Sequence, residues 1–291
     1  MTPSFNQAEF LEETIMSVLS QRYPNLEYII IDGASTDGSV DVIKKYESQL
    51  TYWVSEKDSG QVEAINKGFA KCTGDIIAYL NSDDVYLPGT FNIILDHFQK
   101  DPNLKWISGP SLRFAADYTV FEGDNVPPDD PMRWLLACWI AQPSTFWKRE
   151  CYDKLGGMDP EFHFSLDYEY WLRFIFKGGY RLKFIKRPLS AYRYHSESKT
   201  VALQERFRVE DSKLHDRYLP MLSPAKQAQF RKLRRQIDRD REYWEVSHAL
   251  RTSGQAAAKD KLREVIKHDP WHLFSRAGAV ATLRAMTGRF V

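Results

Sequence analysis

Cysteine is scarce in this chain. Its 291 residues hold three, Cys72, Cys138 and Cys151. That odd number, without metal-ligand spacing, reads as reduced thiols rather than a disulfide framework. Long apolar runs are missing too: none approaches the roughly 20 residues needed to span a bilayer. The N-terminus shows no basic segment followed by an apolar stretch, so no secretory signal is expected and a cytoplasmic location fits best. Net charge is nearly absent, +1 over the whole chain, but the balance conceals an asymmetry. From Ala225 to Val291 there are 15 Lys/Arg against 7 Asp/Glu, a net of +8, which leaves −7 on the preceding 224 residues. A basic tail on an acidic body points to an anionic membrane or nucleic-acid surface, or to a solvated helical face. Hydrophobic residues make up 43%, enough to bury the core of one large domain or of one domain with an appendage.

Apolar runs alternate with helical patterns through the first half. Leu26 to Ile31, Leu50 to Val54 and Asp75 to Leu80 read as buried strands. Ala8 to Ser20, Ser39 to Ser48 and Gln61 to Cys72 between them read as helices. Such alternation predicts an α/β fold with right-handed crossovers and a mostly parallel sheet, whose ligands bind beyond the carboxyl ends of its strands. Asp32 and Asn81-Ser82-Asp83-Asp84 fall at those ends. Thr2 to Asn6 reads as the end of a first strand that is either very short or has lost its earlier residues. A helix is expected after Pro88-Gly89, strands over 106–114 and 118–122, a helix from Leu166 to Lys177, and extended segments over 180–185 and 189–194. From about Val201 the pattern is helical, with breaks near Pro220, Gly254 and Pro270.

Two adjacent acids in a turn more often cap a helix or face water than bind anything. Here they stand in a series. Thr2-Pro3-Ser4-Phe5-Asn6-Gln7 is followed by Ser17-Val18-Leu19-Ser20-Gln21 with Tyr23-Pro24, then by Asp32-Gly33-Ala34-Ser35-Thr36-Asp37-Gly38-Ser39. Next come Ser55-Glu56-Lys57-Asp58-Ser59-Gly60-Gln61, a helix with Ala64, Asn66, Lys67 and Gly68, and Asn81 to Asp84. In that order, over about residues 2 to 200, the chain resembles the family-2 glycosyltransferases of the GT-A fold. The resemblance implies an inverting, metal-dependent transfer of sugar from a nucleotide-diphosphate donor, a UDP-sugar above all, in surface polysaccharide or glycan assembly.

It also implies roles. Pro3, Phe5 and Asn6 would sit against the nucleotide, with Phe5 near the base and Asp32 hydrogen-bonded to it. Asp58 and Lys67 would line the same pocket. Asn81 stands where the family's Asp-x-Asp motif has its first acid; it would contact ribose or sugar, with Ser82 in the same donor site. Asp83 matches the metal-binding acid, a Mn²⁺ or Mg²⁺ ligand, and His195 would be a second metal ligand or a phosphate contact. Arg193 would bind diphosphate. Asp167 is the expected base, although Leu166 replaces the Glu that often precedes it; Glu169 is the second candidate. A base must be ionised at neutral pH, and the start of a helix favours that state. Gln142 to Thr145 resembles the acceptor-side strand, and Trp171 is the tryptophan expected near the acceptor.

These readings place a sugar-transfer domain in residues 1–200 and a helical extension in 201–291. The extension either docks on anionic lipid beside a lipid-linked acceptor or packs on the first domain or a dimer partner. No nucleic-acid partner is expected. The competing functions are a non-catalytic nucleotide-sugar-binding module, suggested by Asn81, Leu166 and the short first strand, and a sugar nucleotidyltransferase. The latter lacks its Gly-rich, basic N-terminal loop here.

Overall fold

The computed structural model describes residues 1–115, 120–122, 126–194, 204–268 and 276–287. They divide into two compact units, Met1–Met221 and Leu222–Val291. In the first, β1 (Thr2–Ser4), β2 (Ile29–Asp32) and β3 (Tyr52–Ser55) form a parallel sheet in that order. Ser4, Asp32 and Ser55 are in register at its carboxyl edge. The uninterrupted apolar run of β2 follows from burial on both faces. Ile30 packs with Leu11 and Ile15 of α1 (Ala8–Leu19) and with Ile43 of α2 (Ser39–Lys45). Ile29 and Ile31 point the other way, onto Ala64 of α3 (Gln61–Lys71).

Two mixed sheets complete the unit. The first takes the order β10-β6-β9-β4, from β4 (Ile76–Ile77), β6 (Trp106–Ser108), β9 (Thr145–Lys148) and β10 (Leu182–Phe184). The other runs β5-β11-β7-β8, from β5 (Val85–Tyr86), β7 (Ser111–Ala115), β8 (Val120–Glu122) and β11 (Ser190–Tyr194). The Leu80 N–H donates to the Met1 carbonyl at 3.0 Å, which lays the chain after β4 beside the start of β1. Helices α4 (Thr90–Lys100), α5 (Pro131–Trp134), α6 (Arg149–Leu155) and α7 (Leu166–Phe176) fill the connections. The strands before residue 80 and the helices between them fall where the apolar pattern puts them. Parallel pairing dominates only the first sheet, and strands β5 and β9 are tied in by antiparallel ladders.

The unit continues past residue 200 through α8 (Gln204–Tyr218), so the helix expected to open the extension belongs to the first body. The side chains that bind it there are described with the site below. In the second unit, α9 (Pro224–His268) is broken at Gly254, whose φ of +85° lies where glycine alone is comfortable. Tyr243, Val246 and Leu250 before the break pack with Ala258, Leu262 and Val265 after it, and with Ala281 and Ala285 of α10 (Arg276–Thr287). Spacings of three and four put each set on one helix face.

Candidate functional site

The carboxyl edge of the first sheet is built around Asp32. This residue has no exposed surface, and its carboxylate accepts the Ser35 N–H at 2.9 Å, the Ser35 hydroxyl at 2.5 Å and the Ser55 hydroxyl at 2.6 Å. Ser35 in turn accepts the Asn6 N–H at 2.8 Å, and Asn6 Oδ1 accepts the Thr36 N–H at 2.9 Å. Asn6 is held at φ +51°, an αL conformation that Asn tolerates better than most residues. A hydrogen-bonded lattice thus locks the loops after β1 and β2 to each other. Asp32, expected to meet a base directly, instead spends its oxygens on this lattice. Pro3 is buried inside β1 opposite Ile31, so it too shapes the edge from within.

The surface that the lattice presents lies between Phe5 and Asp58. A Cβ on Gly33 would stand 2.9 Å from Asp58 Oδ2 and 3.2 Å from Phe5 Cδ2, so the bare glycine floors a slot with a ring on one side and a carboxylate on the other. Phe5 is 60% exposed, so one face of its ring is open to a flat partner. Lys67 stands on α3; its ammonium bridges Glu63 and Glu56, both at 2.9 Å, and these pairs raise its pKa.

Asn81 to Asp84 follow the strand region of β4. Asn81 accepts the Gln61 amide at 2.8 Å and donates to Gln142 Oε1 at 3.2 Å, and Gln142 donates to the Tyr79 carbonyl at 2.7 Å. Ser82 and Asp84 are buried, and Asp83 is half-buried. Burial, then the adjacent Asp83 charge, hold the Asp84 carboxyl well above the ordinary carboxylate range. Arg193, expected at a diphosphate, is only 8% exposed. It pairs with Glu13, donates Nε to the Asp83 carbonyl at 3.3 Å, and lies over Phe10 at 4.6 Å and Phe114 at 4.5 Å. Its backbone N–H also donates to Asp84 at 3.2 Å. Arg193 therefore braces the acidic turn from behind. His195 lies outside the described residues.

Asp83 suits a hard divalent cation. It offers a carboxylate on a braced turn, and no three His, Cys, Asp or Glu side chains gather into a cage among the described residues. An ion that completes its shell with phosphate oxygens and water asks for no more protein than one or two carboxylates.

Asp167 stands in the first turn of α7. Burial outweighs the hydrogen bonds from the Tyr168 N–H (2.8 Å) and its own backbone, and pushes its pKa to about 6. The helix start alone was expected to favour the ionised form; desolvation of the site reverses that balance. Burial, then the charges of Asp167, Cys138 and Asp84, hold the Tyr79 phenol well above its ordinary range.

The loop leading into α7 is held from α8. Glu210, only 6% exposed, accepts the His163, Phe164 and Ser165 N–H groups at 2.8, 2.8 and 2.7 Å. Nothing in the sequence marks this acid, because an acid on a polar helix is ordinarily solvated. Glu169, the second candidate base, has no exposed surface and is shared among Arg173, Arg217 and the Tyr218 hydroxyl. It is structural. Trp171 is likewise fully buried, stacked on Trp106 with ring centroids 5.8 Å apart, so it is core and not an acceptor contact.

Residues 1–112 match the model of glycosyl transferase family 2. A putative teichuronic acid biosynthesis glycosyltransferase of Bacillus subtilis, TuaG, is 39% identical over 133 residues, covering 44% of this chain and 49% of that protein. An uncharacterized glycosyltransferase of Mycobacterium tuberculosis is 31% identical over 178 residues, 60% of this chain and 66% of its own length. The chain thus spans about half to two-thirds of the curated relatives it matches. Among solved structures, the mannosyltransferase PcManGT of Pyrobaculum calidifontis, determined with GDP-Man and Mn²⁺, superposes with a TM-score of 0.59 at 17% identity, over 99% of this chain and 86% of that one. S. aureus TarS 1–349 in complex with UDP gives 0.58 at 15% identity, over 79% and 68%. These likenesses establish the GT-A fold.

Proposed function

From the match of its first 112 residues to glycosyl transferase family 2, we propose that this chain moves a sugar from a nucleotide-diphosphate donor to an acceptor hydroxyl with inversion. The observation that carries the reading is the pair of features built around the first sheet's edge and the acidic turn: the Phe5–Gly33–Asp58 slot and the Asp83 turn braced by Arg193. A UDP-sugar is the donor class favoured by the sequence pattern. One relative is named for teichuronic acid biosynthesis and another is a chondroitin synthase, and a growing polysaccharide or glycan is the acceptor we propose.

The slot would take the base against Phe5, with Asp58 on its polar edge. Asp32 works one layer below, by fixing the two loops. A divalent cation held by Asp83, with His195 as the second proposed ligand, would neutralise charge on the departing diphosphate. Asp167 takes the proton of the acceptor hydroxyl; the new bond forms from that oxygen to the anomeric carbon as the bond to the phosphate oxygen breaks. One displacement inverts the centre. With a pKa near 6, Asp167 is mostly ionised at neutral pH yet more basic than an exposed carboxylate, as general base catalysis requires.

Release of nucleoside diphosphate from a panel of UDP-, GDP- and dTDP-sugars, with lipid-linked and soluble sugar acceptors, tests this reading. Asp167→Asn is expected to bind nucleotide normally and to lose turnover by about 10²-fold or more. Full turnover in that variant would remove Asp167 from the reaction. Nucleotide binding with no transfer by the native chain would favour a non-catalytic module.

A further inference from the structure

The second unit carries a groove that the transfer reaction does not use. Its volume is about 960 Å³, and Lys232, Arg235, Arg239, Arg251 and Arg284 line it with Trp244. Asp240 is the acid among its described lining residues. Lys232, Arg235 and Arg239 of α9 recur at spacings of three and four, so the helix turns them to one side. Trp244 is 63% exposed and stacks on His248, with ring centroids 5.0 Å apart and planes 13° from parallel. Across the groove, α10 is inverted relative to an ordinary surface helix. Its buried side is small, Ala281 and Ala285, and its solvent side is apolar: Val280 is 37%, Leu283 48% and Met286 63% exposed.

We infer that this groove and the outer face of α10 form a docking surface for an anionic phospholipid membrane, with lipid phosphates in the groove and Leu283, Met286 and Trp244 in the headgroup–acyl boundary. Two observations select this occupant. A polyanion such as nucleic acid would account for the cations but not for an apolar face turned outward beside them. A second copy of the chain would cover the apolar face but would bring together two surfaces from a region with a net charge of +8. A basic rim, an exposed tryptophan and an apolar helix face together match an interfacial amphipathic surface. No helix among the described residues is long and apolar enough to cross a membrane.

Flotation of the full chain with vesicles of phosphatidylcholine alone, and with phosphatidylcholine–phosphatidylglycerol mixtures, tests the inference. Binding is expected only to the anionic vesicles and should weaken with salt. Each basic residue near the surface contributes about fivefold, so reversing two with Arg235→Glu/Arg239→Glu should cost about 25-fold or more. Leu283→Glu/Met286→Glu should abolish flotation even at low salt. Brominated lipids should quench fluorescence in the native chain, and Trp244→Phe should remove that quenching while the chain still floats. The thermal response to nucleotide, which reports on the first unit, should be unchanged in all variants, separating this inference from the proposed activity. Failure to bind anionic vesicles would overturn it. So would binding that survives Leu283→Glu/Met286→Glu and is competed away by duplex DNA, which would make the groove a polyanion site.

Discussion

A half-buried carboxylate at the start of a helix is pulled in two directions, and Asp167 shows which pull wins. Its folded pKa of about 6 lies above the ordinary 3.8, so the folded chain holds the proton more tightly than the unfolded one. The stabilisation this linkage provides is complete below about pH 4 and is lost as pH rises through about 6. At pH 7 to 8 the ionised group therefore costs the fold about 2–3 kcal/mol, from a shift of about two units at 1.36 kcal/mol each. Asp167→Asn, which has no charge to bury, should gain stability over the native chain between pH 4 and 7 and then level off, as urea melts at several pH values would show. Native turnover should rise through about pH 6. Parallel stability curves for the two proteins would mean that Asp167 is not desolvated. The pattern that located Asp167 could not give this sign, because the desolvation comes from chain far away in sequence. The same reason defeated the reading of Arg193 and Trp171. Their chemistry suited a ligand, but Glu13, Phe10 and Trp106 are brought against them only by the fold.

Elements were more legible than side-chain roles. The strands before residue 80 and the helices up to residue 100 follow from period and punctuation, since β2 is buried on both faces and α1 and α3 each bury one, whereas the two-residue strand β5 is too short to leave a pattern. Asp32 ends β2 as the pattern indicates, while the strand expected to run to Leu80 is only Ile76–Ile77, so Asp83 lies in the turn between β4 and β5. Hidden from the sequence is the work of α8 on the loop before α7. Glu210→Ala removes the acceptor of three backbone N–H groups, each costing about 1–3 kcal/mol if left buried and unpaired. A loss of about 3 kcal/mol or more, with a fall in turnover, is expected. Glu210→Gln keeps one acceptor oxygen and should lose less on both counts. Equal, small effects in denaturant melts of the two variants would show that water replaces the carboxylate and that α8 does not hold the loop.

At the scale of the whole molecule, the two bodies differ in charge as well as architecture, with an acidic first part and a basic end. The sequence located the change in composition but put the structural boundary too early, because α8 looks as polar as the helices after it. The contacts decide the matter. His215 Nε2 lies 2.8 Å from the Leu135 carbonyl, and Arg217 reaches Asp159 at 2.6 Å and Glu161 at 2.7 Å. A chain ending at Met221 should therefore fold and keep its nucleotide response, while one ending at residue 200 should be insoluble or show no cooperative melt. Equivalent behaviour of the two would place α8 outside the first body.

The central claim is that Phe5, Asp58 and Asp83 frame a site for a nucleoside diphosphate and a metal ion. Thermal shifts of the native chain and of Asp83→Ala, with UDP, GDP, dTDP and CMP, each with and without Mn²⁺, test it most directly. Ligand at a hundredfold excess over Kd stabilises the native state by about 2.7 kcal/mol. A Mn²⁺-dependent rise with one nucleotide, UDP by our reading, that disappears in Asp83→Ala is the predicted result; no shift with any nucleotide, or the same shift in the variant, would contradict the site.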